Sequence, residues 1–382
     1  MKYKIIPLAI AMALSACATA PTVAPQSTAL PPQSTLAPPT FAPTAVNTNT
    51  PIPPTNTPAP TNTPLPTATP TSVPTATPTP HPLSIAAFKA RDAAKEFAGS
   101  DLVIEQTLPA GANYSRAVAS YKSEGNKIYG LLTIPNGEKP ATGWPIVIFN
   151  HGFIPPTVYR TTERYVGYQD AFARAGYITF KSDYRGHGSS EGAAGGGYGS
   201  NDYTIDVLNG MRSVQRLKEA DPKRVGFWGH SMGGAITLRA LVTTNEIKAG
   251  VIWAGVVASY PDLIYRWTRP GVAPNATPNV PNAARSWRNS LITNYGTPEQ
   301  NPAFWASISA NSFISNVVPI QLHHGTNDAD VPVAFSQNLA GQLKDASRPH
   351  ELFIYPGDDH NLSQNIGVAL QRSVAWFDKY VK

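Results

Sequence analysis

From residue 117 to residue 380, short apolar runs rich in Ile, Val and Phe alternate with segments of helical period, and this alternation constrains the fold more than any other feature. The strand candidates are Ala117 to Tyr121, Ile128 to Ile134, Ile146 to Asn150, Tyr177 to Asp183, Arg224 to Gly229, Ala249 to Ala254, Ile320 to His323 and Glu351 to Tyr355. The last six are compact and rich in Ile, Val and Phe, as strands buried on both faces should be. Helical period marks Arg164 to Arg174, Thr204 to Lys218, Met232 to Thr243, Ala334 to Ala346 and Ser363 to Tyr380, and an amphipathic stretch runs from Ile85 to Phe97. The alternation of strand and helix predicts an α/β fold: a mostly parallel eight-stranded sheet with helices on both faces, its first two strands forming an antiparallel edge hairpin.

One segment breaks the rhythm. Residues 261–312 carry Trp267, Trp287 and Trp305 among Pro, Asn and Ser. This is too long for a plain connection and too aromatic for a linker. It is expected to form a small cap over the carboxyl ends of the strands, where open α/β sheets bind ligands.

The N-terminal part cannot join this core. Nineteen of the 38 prolines fall between residues 21 and 82, in repeated Thr-Pro and Ala-Pro units with Phe41 the sole Phe, Trp or Tyr and no Asp, Glu, Lys or Arg. Such a stretch buries too little apolar surface to offset the entropy of ordering, so residues 18–82 read as an extended linker. Residues 83–382, about 300 in number, suit one α/β domain. Ahead of the linker, Lys2 and Lys4 precede the apolar run Ile5 to Leu14, too short to span a bilayer but matched to the core of a signal peptide. The run ends in Leu14-Ser15-Ala16-Cys17, which resembles the bacterial lipoprotein cleavage box, and Cys17 is the only cysteine. Residues 1–17 are therefore expected to be a lipoprotein signal with Cys17 lipidated, tethering the domain outside the cytoplasm at the cell envelope.

A lone cysteine excludes a disulfide framework and any multi-cysteine metal centre. Net charge is +6 with only 14% charged residues and no stripe of Lys or Arg, which argues against a nucleic-acid partner. No cofactor motif is evident.

The chemistry centres on Gly229-His230-Ser231-Met232-Gly233, a GxSxG motif between a buried strand and a helix. Three fixed positions arise by chance in roughly one chain in ten of this length. The strand–turn–helix context is what gives the motif meaning, because a nucleophile elbow needs a tight turn and small neighbours to raise the serine above the sheet. A serine hydroxyl needs a base, and the base a partner that sets its tautomer. Candidates leave the last two strands at their carboxyl ends: His324-Gly325-Thr326-Asn327-Asp328-Ala329-Asp330-Val331-Pro332, then Gly357-Asp358-Asp359-His360.

Together these segments resemble the catalytic domain of the prolyl oligopeptidase family and its single-domain esterase relatives among the α/β hydrolases, over residues 117–382. The resemblance implies Ser231 as nucleophile, Asp328 as the acid and His360 as the base. His151-Gly152-Phe153 resembles the family's oxyanion loop, which implies the backbone N–H groups of Phe153 and Met232 as oxyanion donors. His187 lies in Asp183-Tyr184-Arg185-Gly186-His187-Gly188, similar to a structural turn of such proteins, and His230 and the His151 ring are expected to be packed rather than reactive. His323 and His324 point to opposite faces of a strand, so they cannot readily join His360 at a metal.

The implied activity is carboxylic-ester hydrolysis through an acyl-enzyme, on a small ester or short peptide, with exo- or oligopeptidase, acyltransferase and non-catalytic surface module as alternatives. No β-propeller is expected ahead of the catalytic segment, and the cap carries only Asp262 and Glu299 as acids. Both features weigh toward an uncharged ester substrate rather than a peptide held by its terminal amine.

Overall fold

Ile146, Val147, Ile148, Val225, Phe227, Trp228, Val251, Ile252 and Trp253 are all fully removed from water, which only strands covered on both faces can achieve. In the computed structural model, which describes residues 79–267 and 283–382, these residues lie in three neighbouring strands of a nine-stranded sheet. The strands are β1 (Val103–Leu108), β2 (Tyr114–Ser123), β3 (Asn126–Pro135), β4 (Trp144–Asn150), β5 (Ile178–Ser182), β6 (Ala220–His230), β7 (Ile247–Trp253), β8 (Ile320–Gly325) and β9 (His350–Tyr355). Their order is β1-β2-β3-β5-β4-β6-β7-β8-β9. Every pairing from β5 across to β9 is parallel, while β1, β2 and β3 join antiparallel.

All eight expected strands are present, and β1 is the addition. Its side chains run almost wholly exposed, so the segment VIEQTL carries neither an apolar run nor a buried alternation. The β2–β3 hairpin turns through Glu124 and Gly125, both at positive φ (47° and 86°), as a two-residue turn requires. It is not the edge of the sheet, as expected from sequence, because β1 covers β2.

The helices are α1 (Ile85–Ala93), α2 (Val166–Arg174), α3 (Asp202–Val214), α4 (Met232–Thr243), α5 (Tyr260–Tyr265), α6 (Ala283–Tyr295), α7 (Pro302–Ile308), α8 (Val333–Asp345) and α9 (Ile366–Tyr380). Alternation along the strands divides the core into two layers. Ile146 and Ile148 join α1, α3, α4 and α8 on one face, and Val147 and Phe149 join α2 and α9 on the other.

The expected cap contains most of α5 and all of α6 and α7, with a small core of its own made by Tyr260, Leu291, Phe304, Trp305 and Ile308. Residues 268–282 of the cap lie outside the described residues, as do the signal segment with Cys17 and the linker through residue 78. From the linker's end, the His81 ring packs edge-on against Tyr295 and Phe304, at 4.8 and 5.1 Å between centroids. Among the described residues, no helix is long and apolar enough to cross a membrane.

Candidate active site

Ser231 stands where β6 hands over to α4, at φ 57° and ψ −122°. A non-glycine residue reaches such a conformation at a cost of about 1–3 kcal/mol, and its surroundings must hold it there. Here the Ser231 amide donates to the Trp253 carbonyl at 3.0 Å, and the Ser231 carbonyl accepts from Gly234 at 2.9 Å and Val256 at 3.1 Å. The spacing of the glycines follows from close approach: a Cβ on Gly233 would lie 1.8 Å from the Asn150 carbonyl oxygen, and one on Gly229 would lie 2.3 Å from that of Gly233. The turn leaves Ser231 half-buried, and its hydroxyl forms no hydrogen bond among the described residues.

The loops after β8 and β9 are tied to each other. Asn327 N–H donates to the Asp358 carbonyl at 2.9 Å, and Gly357 N–H donates to Thr326 Oγ1 at 2.8 Å. This brings His360 Nδ1 to 2.7 Å from Asp328 Oδ2, with the Asp328 side chain 1% exposed and that of His360 15%. Asp328 Oδ1 accepts from the amides of Asp330 (2.8 Å) and Val331 (2.9 Å). Burial pushes the Asp328 carboxyl up, but His324, His360 and the Val331 amide outweigh it and hold the carboxyl well below its ordinary value. An ionised Asp328 accepts from Nδ1–H of His360, which leaves the Nε2 lone pair free to take a proton.

The competing carboxylates are used otherwise. Asp358 is fully buried; its oxygens accept from the amides of Asp359, Gln364 and Asn365 and from Asn365 Nδ2, at 2.9 to 3.1 Å. Asp359 accepts from Asn361 N, Ser363 N and Ser363 Oγ within its own turn. The possible ligand atoms of Asp328, Asp330 and His360 lie within 4.8 Å of one another, and both Asp328 oxygens already accept hydrogen bonds, one of them from His360.

The segment after β4 passes directly over the elbow: a Cβ on Gly152 would stand 3.1 Å from Ser231 Cβ. The amides of Phe153 and Met232 donate to no protein acceptor among the described residues. Met232 is the first residue of α4, where the unsatisfied amides and the helix dipole favour negative charge. Phe153 is 62% exposed.

Among the other histidines, His151 and His187 are packed as expected. His151 is buried between the rings of Tyr184 (4.1 Å) and Tyr159 (4.8 Å), and burial lowers its affinity for a proton. His187 is buried with Nδ1 3.2 Å from the Arg185 carbonyl. His323 faces Tyr355 and Gln321, while His324 faces Ser336 on α8, the opposite side of β8.

Two supporting residues escaped the sequence reading. His324 Nε2 lies 3.0 Å from Asp328 Oδ2 and 3.0 Å from the Val331 carbonyl, which can only accept, so this nitrogen carries the hydrogen. Strand alternation was the available signal, since it sends His324 away from His323. The other is Tyr165, whose hydroxyl reaches His230; nothing near it in sequence marked it.

The three tryptophans take different places. Trp305 is fully buried in the core of the cap, whereas Trp267 and Trp287 pack against Tyr198 at 5.5 and 5.4 Å. Trp267 Nε1 donates to the Asp330 carbonyl at 2.8 Å, which pins the cap to the loop that carries Asp328.

The prolyl oligopeptidase family model matches residues 166–382. The uncharacterized peptidase YuxL of Bacillus subtilis is 26% identical over 270 residues, covering 68% of this chain and 38% of the relative. Human dipeptidyl peptidase 8 is 24% identical over 250 residues, covering 62% of this chain and 25% of the relative. The chain thus spans well under two thirds of these relatives. Among solved structures, acylaminoacyl peptidase of Pyrococcus horikoshii aligns with a TM-score of 0.55 at 22% identity, over 71% of this chain and 42% of that one. Acetyl xylan esterase from Paenibacillus sp. R4 aligns with a TM-score of 0.58 at 15% identity, over 78% of this chain and 94% of that one. These likenesses make the architecture an α/β-hydrolase fold.

Proposed function

The chain belongs to the prolyl oligopeptidase family and is a serine hydrolase, and from that premise we propose that it cleaves small, uncharged carboxylic esters through an acyl-enzyme. Ser231 Oγ attacks the ester carbonyl carbon as His360 Nε2 takes its proton. The carbonyl oxygen becomes an oxyanion facing the amides of Phe153 and Met232. Collapse expels the alkoxide, which His360 protonates; a water then repeats the sequence in reverse order, releasing the acid and returning the proton to Ser231. Asp328 stays ionised throughout.

The observation that carries the ester reading is the charge of the cap. Recognition of a peptide's terminal ammonium needs an available carboxylate, and residues 261–312 hold only two. Asp262 accepts from Ser259 Oγ at 2.8 Å and pairs with Arg266 at 3.3 Å, while Glu299 accepts from Tyr265 at 2.8 Å. An amide also demands that the departing amine be protonated in a well-held geometry, a requirement activated esters relax. Short-chain p-nitrophenyl esters are expected to turn over, with kcat/KM at least about 100-fold above that of aminoacyl p-nitroanilides. The sequence relatives bear peptidase names, so the anilide series is the direct test of that second reading. Anilides cleaved as efficiently as esters would replace the ester assignment with a peptidase one.

The proposal includes an anchor at Cys17, supported by the cleavage box and the proline-rich tether that follows it. Acyl chains contribute about 0.8 kcal/mol per buried methylene, and several chains together hold a protein on a bilayer. In a bacterial host, the wild-type protein is expected in the membrane fraction and Cys17→Ser in the soluble fraction with its esterase activity intact. Equal membrane association of the two would remove the anchor.

A further inference from the structure

A partly buried hydrogen-bond chain crosses the site beside the proton-transfer residues. Gly152 N–H meets the Tyr165 hydroxyl at 3.0 Å, that hydroxyl lies 2.7 Å from His230 Nδ1, and His230 Nε2 lies 2.9 Å from the His360 carbonyl oxygen. The two ends fix the direction of every proton. An amide can only donate, so Tyr165 Oη accepts from Gly152. A carbonyl can only accept, so His230 carries its hydrogen on Nε2, and the one proton of the tyrosine goes to Nδ1. Burial, then the neighbouring His360, lowers His230 to about 3, so the imidazole stays neutral as the chain requires.

These partners come from separate parts of the sequence. Gly152 lies in the loop after β4, His230 is the residue before Ser231, and His360 lies in the loop after β9. Tyr165 precedes α2 at φ 64°, uncommon for a non-glycine residue, with its carbonyl accepting from Tyr168 and Gln169 at 3.1 Å each. Its ring packs on Tyr168, His230 and Trp228 at 5.4, 5.6 and 6.1 Å. The fit is close, because a Cβ on Gly152 would stand 2.7 Å from the Tyr165 hydroxyl.

Building on the serine-hydrolase reading with its donors at Phe153 and Met232, we infer that Tyr165 is a positioning residue: its hydroxyl, through Gly152 and His230, sets the Phe153 amide against Ser231 and the His360 backbone against the elbow. The hydrogen bonds join the loop after β4, the elbow and the loop after β9. A donor displaced by about an ångström loses much of its hold on an oxyanion, so the effect belongs to kcat.

Tyr165→Phe removes one oxygen and keeps the ring. With p-nitrophenyl acetate, and enzyme concentration set by fluorophosphonate titration, kcat is expected to fall about 10- to 100-fold with KM within about two-fold. In a His230→Leu background the same change is expected to add nothing, since the chain is already broken. His230→Gln, which offers an acceptor and a donor, is expected to retain more activity than His230→Leu. A Tyr165→Phe enzyme with lowered Tm but unchanged kcat per titrated site would make the tyrosine merely structural and overturn the inference. If Tyr165→Phe does not fold, equal kcat for His230→Gln and His230→Leu overturns it instead. A wild-type protein that neither labels nor turns over the ester defeats the underlying hydrolase reading, a different outcome from either.

Discussion

Ser231→Ala is expected to lower kcat for p-nitrophenyl acetate about ten-thousand-fold or more, with the far-ultraviolet spectrum and Tm little changed. The expectation rests on three features of the turn. Ser231 sits at positive φ, its backbone is held by Trp253, Gly234 and Val256, and its hydroxyl makes no hydrogen bond that the fold depends on. Losing the Oγ therefore removes the nucleophile while leaving the packing of the elbow in place. His360→Ala is expected to cost a similar factor, and the double variant little more than either single one, because the two groups act as a unit. Steady-state kinetics on the three proteins, with loss of fluorophosphonate labelling in Ser231→Ala, checks this. An alanine variant that kept most of its turnover would eliminate a serine mechanism.

Asp328→Asn is expected to lower kcat about a thousand- to ten-thousand-fold, more than the same change at Asp330, Asp358 or Asp359. Oδ1 accepts from two amides, so the oxygen of an asparagine would take that place. Its NH2 would then occupy the Oδ2 position, facing His360 Nδ1 and His324 Nε2. A donor set against a donor forces His360 into the other tautomer, with its hydrogen on Nε2, where a lone pair is needed to receive the serine proton. Asp359→Asn alters only hydrogen bonds within its own turn and is expected to change kcat by less than about ten-fold. Asp358→Asn disturbs the buried hydrogen bonds that hold the turn leading into α9 and is expected to appear mainly in Tm. Kinetics and thermal melts of the four variants decide the assignment; a larger loss of kcat at Asp330 would mean that the acid lies one turn further along the loop.

The buried strands were legible because a strand covered on both faces shows a continuous apolar run, and the central residues of β4 (146–149), β6 (225–228) and β7 (249–253) form such runs. That Ser231, His360 and the competing carboxylates share one rim followed from that reading, since each leaves a strand at its carboxyl end and a parallel sheet gathers those ends, while the choice of Asp328 rested on the resemblance to the prolyl oligopeptidase family. What escaped detection lacks such a signature. β1 has its side chains in solvent, so its place is decided by backbone pairing with β2, which any exposed sequence can offer. Around the cap, the small core of Tyr260, Leu291 and Phe304 joins α5, α6 and α7, of which α5 and α7 have only 6 and 7 residues, too few for a helical period to stand out.

Sequence alone therefore determined the fold class and the chemical candidates, because both depend on local periodicity and on which residue types can act as nucleophile, base and acid. Only the tertiary structure decided which atoms meet. Asp328 is separated from its competitors by the backbone amides around it and by His324, and the Tyr165 hydroxyl reaches His230 across 65 residues of chain. Such partnerships depend on the distance and direction between loops, which the packing of the whole sheet sets and no stretch of sequence records.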